Sequence, residues 1–285
     1  MVLYCFIDAV VLFYITGIKY KSYSFFHSLK TCVIGLFYSA ITPLSVGGQP
    51  VQIVEMTRSK IKFGDASSFI VIKMIIYQVA LIFYSLFAIL FHEKFVVSKF
   101  WFFTVAGLFF NVIFIASVVV ISMKKDFVKK LCAGFMKFLV WIKILKISNS
   151  NSALQKIYEQ IELFHESAKL VSHKKIVIAK LFLITFVQLS IYYLIPFFIL
   201  KSFGIDVNLY YTLLATSLIY MITSFVPIPG ASVANEGAFY IFFKMFFAKQ
   251  LAIPIIFLWR FVTYYFIILI GGAIIIIDMA KKRPF

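Results

Sequence analysis

Two long apolar stretches of this chain are broken in the middle by proline and glycine. Residues 31–56 are interrupted by "TPLSVGGQP" (42–50), and residues 208–248 by "VPIPGASVANEG" (226–237). Uninterrupted apolar stretches run near 2–18, 66–91, 98–122, 176–200 and 251–278, the first of them short. A helix needs roughly 20 residues to cross about 30 Å of hydrocarbon. Unpaired backbone groups in lipid cost several kcal/mol each, so broken helix persists there only inside protein or against a wet cavity. The pattern predicts an all-α, polytopic integral membrane bundle with a polar interior at its two breaks. Composition agrees: 63% of residues are hydrophobic and 14% charged, against about 45–50% and about 25% in soluble domains.

The net charge of +17 arises from lysines and arginines that lie between the apolar stretches. Such residues hold loops in the cytoplasm and meet anionic headgroups. No basic segment carries a recognition module, so no nucleic-acid partner is expected. The rule places the Lys124–Lys180 loop and the terminal "KKRPF" inside, with Lys19, Lys21, Lys30, Arg58, Lys60 and Lys62. The nearly neutral "HEKFVV" (92–97) is placed outside. These assignments agree when both interrupted stretches are re-entrant hairpins, the first entering from the cytoplasm and the second from outside. Helix, hairpin and helix then recur with opposite sense, an inverted-topology repeat. The domain reading is one membrane domain over 1–285, with halves 1–122 and 176–285 joined by a cytoplasmic amphipathic connection over 123–175.

Within that connection, Leu154, Ile157, Tyr158, Ile161, Phe164, Ala168 and Val171 follow a helical period. Ser152 with Gln155 fits a capping box at its start. Glu159, Glu162 and Glu166 fall toward the other face. The preceding "KKDFVKKLCAGFMKFLVWIKILK" mixes lysine with apolar residues, as a helix lying in the membrane interface does.

The breaks concentrate the polar chemistry. In the first, Gly47 and Gly48 permit backbone shapes closed to other residues, and Pro43 and Pro50 fix the chain on either side. Gln49, Gln52 and Glu55 place amides and a carboxylate beside it, more than a structural kink requires. The second break has Pro227, Pro229 and Gly230, then Ser232, Asn235 and Glu236. Arg260 lies well inside the last span. An uncompensated arginine there costs about 2.5–3.5 kcal/mol on insertion scales, and either Glu236 or a lipid phosphate offsets it. Arginine suits phosphate because its planar fork bonds in bidentate fashion. Tyr264 adds a hydroxyl beside it. Asp8 is a further buried acid, and Lys73 and Gln78 are candidates for the same interior.

Neither a nucleophile elbow nor a phosphate loop or dinucleotide fingerprint is present, and the longest loop is too short for a catalytic domain of its own. Cys5, Cys32 and Cys132 lack paired spacing, and the four histidines are scattered. No cofactor and no metal site are expected.

"TPLSVGGQPVQIVEM", "PIPGASVANEGAF" and "LWRFVTYYFIILIGG", in that order, resemble the lysylphosphatidylglycerol synthase transmembrane-region family. This is the flippase-like membrane domain of the multiple peptide resistance factor and its free-standing relatives. The resemblance covers nearly the whole chain, and relatives carry a further apolar segment before the position of Met1. It implies a protein of the bacterial cell (inner) membrane that handles an anionic or aminoacylated phospholipid, of the lysyl-phosphatidylglycerol type, or a glycolipid. In bifunctional relatives a separate synthase domain makes the lipid, and its transfer to the outer leaflet blunts cationic peptides. The alternative reading is a membrane component of phosphatidylglycerol lysyltransferase, with catalysis in a separate synthase or transferase. The implied headgroup residues are Gln49, Gln52, Glu55, Asn235, Glu236, Arg260 and Tyr264. One departure stands out: Ala231 and Val233 occupy positions where the family commonly has glycine, which weakens a close-backbone role there.

Overall fold

Among the described residues the apolar stretches become helix. The computed structural model describes residues 1–91, 101–141, 147–224 and 226–281. "HEKFVV", its His92 and most of "KKRPF" therefore lie outside the described residues. The first half contains α1 (Val2–Gly17), α2 (Phe25–Ile41), α3 (Gly48–Arg58), α4 (Phe63–Phe91) and α5 (Trp101–Met123). The connection forms α6 (Lys125–Trp141) and α7 (Ile147–Ser172). The second half contains α8 (Lys175–Tyr193), α9 (Ile195–Ser202), α10 (Leu209–Thr223), α11 (Ala234–Phe243), α12 (Ala252–Arg260) and α13 (Phe266–Ala280). Side-chain caps start two of these helices: Ser24 Oγ accepts from His27 N at 3.3 Å, and Asn208 Oδ1 from Tyr211 N at 3.1 Å.

Among the described residues, four helical stretches are long and apolar enough to cross a membrane: Phe63–Leu90, Phe102–Met123, Lys175–Ser202 and Lys249–Ala280. Two of them are not single rods. Pro196 in the first turn of α9 breaks the third at Tyr193–Ile195, and a π-helical turn over Phe261–Tyr265 joins α12 to α13. The expected span at 2–18 is a 16-residue helix, shorter than the roughly 20 residues of a full crossing.

Both interrupted stretches fold back as hairpins, α2 against α3 and α10 against α11. The two breaks share one conformation. Thr42 and Ile228 are extended, Pro43 and Pro229 each open a tight turn, and the next residues, Leu44 (φ 54°, ψ 12°) and Gly230 (φ 62°, ψ 14°), are left-handed. Ser45 and Ala231 follow at φ 56° and 46°. The turns also meet: Cα atoms of 43–45 lie within 8 Å of those of 229–231. Equivalent breaks in the two halves thus face each other inside the bundle.

Packing divides accordingly. Leu12, Ile15, Met56 and Phe69 of the first half cluster with Leu181 of α8, and Leu214, Phe239, Phe243 and Trp259 form the core of the second half. Tyr84, Leu189, Tyr193 and Met221 join them. Outward, α5 presents Phe102, Phe103, Phe109 and Phe110 exposed, as lipid-facing helices do.

The connection differs from the sequence reading at the start of its second helix. The helix expected to open at Ser152 begins at Ile147, so Ser152 lies within it rather than at its N-cap position. Glu162 faces α6, where it pairs with Lys125 and, at 2.7 Å, with Lys129. Those two ammonium groups hold its carboxyl down at about 2. Because the folded value is depressed from an ordinary 4.5, this link is complete above that pH and fades as pH falls toward 2. The other face of α7 docks on the start of α4. Gly64 N donates to Gln160 Oε1 at 2.9 Å, and Asp65 is held by Lys19 (2.7 Å), Tyr20 (2.5 Å) and Ser167 (2.6 Å).

Gly64 permits that docking, because a Cβ there would run into the Gln160 carbonyl. Gly64→Ala is expected to cost about 1–3 kcal/mol through overpacking. Hydrogen exchange should then rise selectively across 147–172, with the core of the second half unchanged.

Candidate functional site

Where the two turns meet, a cavity of about 350 Å³ opens between the hairpins, α1, α4 and the π-helical turn. Gln49 and Gln52 from the first hairpin line it, with Asn235, Arg260 and Tyr264 from the second half. Gly48 and Gly230 also reach it, whereas Pro43, Gly47, Pro50, Pro227 and Pro229 shape the turns behind. Alignment of the two turns on Pro43 and Pro229 puts Gln49 and Asn235 at equivalent positions, so both hairpins supply an amide at this position, and the first adds Gln52.

The first break works differently from its expected role. Gly47 is right-handed at φ −71°, and the left-handed residues are Leu44 and Ser45. Gly48 is needed for closeness: a Cβ there would collide with Ser39 and stand 2.6 Å from the Gly35 carbonyl of α2. Thr42 stitches the turn, donating to Tyr38 O at 2.6 Å and accepting from Gly47 N at 3.0 Å. At the second break, Gly230 needs both its left-handed φ and its lack of a side chain, because the Tyr264 ring lies against it. Ala231 and Val233 take positive φ, 46° and 68°, without being glycine. Such residues cost about 1–3 kcal/mol each and persist only where the surroundings hold them.

Arg260 does much of that holding. Its Nε pairs with Glu236 Oε1 at 2.7 Å, and its Nη2 donates to Gly230 O at 3.0 Å and Ser232 Oγ at 3.3 Å. The guanidinium lies 4.4 Å from the centre of the Tyr264 ring, one turn along the same helix. Asn235 Nδ2 donates to the same Gly230 carbonyl at 3.0 Å, while its Oδ1 accepts from Thr223 at 2.7 Å. Tyr264 crosses between halves, donating to Ala40 O at 3.3 Å. Its ring lines the cavity, and its hydroxyl is engaged in holding the end of α2.

Glu55 and Glu236 stand apart from the lining. Glu236 sits behind Arg260, with Oε2 buried and without a partner among the described residues. Glu55 is buried beneath the cavity, where Lys30 joins it (2.6 Å) to Asp278 (2.6 Å) and Arg58 approaches at 3.2 Å. This cluster ties α2, α3 and the end of α13.

A second buried pair does line the cavity. Lys73 Nζ donates to Asp8 Oδ2 at 2.6 Å and approaches Cys32 Sγ at 3.4 Å, and Gln188 holds Asp8 Oδ1 at 3.1 Å. Gln78 also lines it and bonds Asn111 of α5. The tyrosines Tyr4, Tyr77, Tyr192 and Tyr220, together with Ser39 and Thr223, complete much of the wall. Sequence reading did not single out these six. Of these, Tyr77 falls four residues after Lys73 on α4 and so shares its helix face, the one signal in an apolar helix that could have revealed it. Chemically, the cavity offers a guanidinium, an ammonium–carboxylate pair, amides and aromatic faces, a set suited to holding a polar, anionic group.

The family "Lysylphosphatidylglycerol synthase TM region" matches residues 2–271. The chain belongs to that family. It is also similar to a UPF0104 membrane protein of Archaeoglobus fulgidus, 26% identical over 287 aligned positions, covering 91% of this chain and 78% of the relative. No solved structure matches the chain. The lysylphosphatidylglycerol synthase transmembrane region is thus represented here by an all-α membrane bundle with paired broken hairpins.

Removing Lys30 isolates two carboxylates, one buried and one largely so, from their shared cation. Lys30→Met is expected to cost about 2 kcal/mol, below the 3–5 typical of a fully buried pair because Lys30 is partly exposed. Thermal unfolding in detergent measures this, and Lys30→Arg should restore most of it.

Proposed function

We propose that this protein binds the headgroup of an anionic or aminoacylated phospholipid, or of a glycolipid, in the cavity between its hairpins and passes it between leaflets. The observation that carries this reading is the polar cavity walled by two broken helices in a bundle otherwise apolar enough for lipid. Discontinuous helices facing each other across repeats are where secondary transporters place their substrates. Arg260 supplies the anion contact: its Nε and Nη2 are fixed by protein, and its Nη1 makes no bond among the described residues. Gln49 and Gln52 add amide contacts from the facing side. The acyl chains remain outside in the bilayer. The basic connection over 123–175 sits on the cytoplasmic side of a multi-pass protein of the cell membrane. Lysyl transfer to the lipid, where it occurs, belongs to a separate synthase domain or protein.

The test is reconstitution in liposomes with labelled lysyl-phosphatidylglycerol and other anionic lipids, reading exposure to the opposite leaflet. Transfer should fall at least tenfold in Gln49→Leu, a variant that breaks no hydrogen bond described above, and should vanish in Arg260→Ala. Both are compared at matched amounts of folded protein. Absence of transfer with every lipid class by the unaltered protein would overturn the reading.

A further inference from the structure

The face of α4 turned away from the cavity borders a second concavity. Lys73, Met74, Tyr77 and Gln78 point to the cavity, and Ile75, Ile76 and Val79 fall on the opposite side of the helix. There α4 and α8 leave a groove of about 560 Å³ between them, within the roughly 300–1,000 Å³ of small-ligand sites. Its walls are apolar: Ile75, Ile76 and Val79 from α4 face Ile178, Phe182 and Leu183 from α8. Polarity appears at one end only, where Ser172 closes α7 and Lys175 opens α8. His173, Lys174 and Lys175 are exposed there, and neither lysine has an ion-pair partner among the described residues.

The groove has the dimensions and polarity of one leaflet. From Lys175 to Leu183 the helix rises about 12 Å, close to half of the roughly 30 Å hydrocarbon thickness. Its lysine end lies on the same side of the bundle as the start of α4, where α7 docks through Ser167 and Gln160. An occupant must be amphiphilic, with an apolar chain along the walls and negative charge at the lysines. Basic pockets between membrane helices hold anionic lipid headgroups by the same complementarity.

We propose that this groove is a specific site for an anionic phospholipid of the leaflet on the lysine-rich side. One acyl chain lies between α4 and α8, and the phosphate meets Lys175 and Lys174. The site is separate from the central cavity, and its argument does not depend on transport.

Native mass spectrometry of the detergent-purified protein, titrated with phosphatidylglycerol, phosphatidylcholine or oleate, tests this. One phosphatidylglycerol should bind at least tenfold more tightly than phosphatidylcholine or oleate. The double variant Lys174→Gln, Lys175→Gln should abolish that preference, and Val79→Trp, which fills the groove, should remove the bound lipid. Arg260→Ala should leave it in place. Loss of the lipid in Arg260→Ala with retention in Val79→Trp would move it to the central cavity and overturn the inference while sparing the proposed function. Equal binding of phosphatidylglycerol and phosphatidylcholine, unchanged by the lysine variants, would mark ordinary surrounding lipid and overturn it as well. Oleate binding as tightly as phosphatidylglycerol would contradict the phospholipid assignment.

Discussion

Backbone groups released by a broken helix at bilayer depth need partners, and the rest of this architecture follows from how they find them. Gly230 O is the clearest case: it accepts from Arg260 and from Asn235, two side chains that also line the cavity. Tyr264 performs the matching service for Ala40 O at the end of α2. The groups that make the breaks tolerable are therefore the groups that make the interior polar. A lipid-filled gap could not supply those hydrogen bonds, so the two turns must meet in protein, around a space that protein side chains control.

Charge follows the same economy. Arg260 is offset by Glu236, Lys73 by Asp8, and Lys30 by Glu55 and Asp278. Desolvating each charge is expensive, and a partner within hydrogen-bond distance offsets much of it. The pairs differ in position. Glu55 with Lys30 lies beneath the cavity and ties the first hairpin to the last helix. Asp8 with Lys73 lies in the cavity wall, and Glu236 lies behind Arg260 and orients it. One lining cation is thereby fixed by protein through its Nε and Nη2.

Much of this was legible in the sequence because membrane constraints are severe. Apolar length set the helices, and Pro/Gly breaks in two of the stretches marked the hairpins. The isolated Arg260 called for either Glu236 or a lipid phosphate as its counter-charge, and it pairs with Glu236. Glu55 was read with Gln49 and Gln52 as lining the break, but it lies three residues beyond Gln52, a rise of about 4.5 Å along the helix. That rise carries Glu55 to the level of Lys30. The glycines of the first break were read for conformational freedom, yet in Gly48 the requirement is contact distance, which only the position of α2 reveals. The equivalence of Gln49 and Asn235 is invisible without the shared turn geometry, since the flanking residues differ. The start of α7 was misplaced because a capping-box pattern is short, and the helix simply continues upstream through polar residues.

The account depends most on the meeting of the two turns, and cross-linking measures that directly. In a background lacking Cys5, Cys32 and Cys132, the pair Ser45→Cys and Ala231→Cys is placed in lipid bilayers and treated with a short bismaleimide. The turns lie within 8 Å of one another by Cα separation, so the account predicts efficient intramolecular cross-linking. It also predicts that reagent entering the cavity labels each cysteine singly. Two cysteines that both label but never cross-link would place the hairpins apart and contradict a shared cavity.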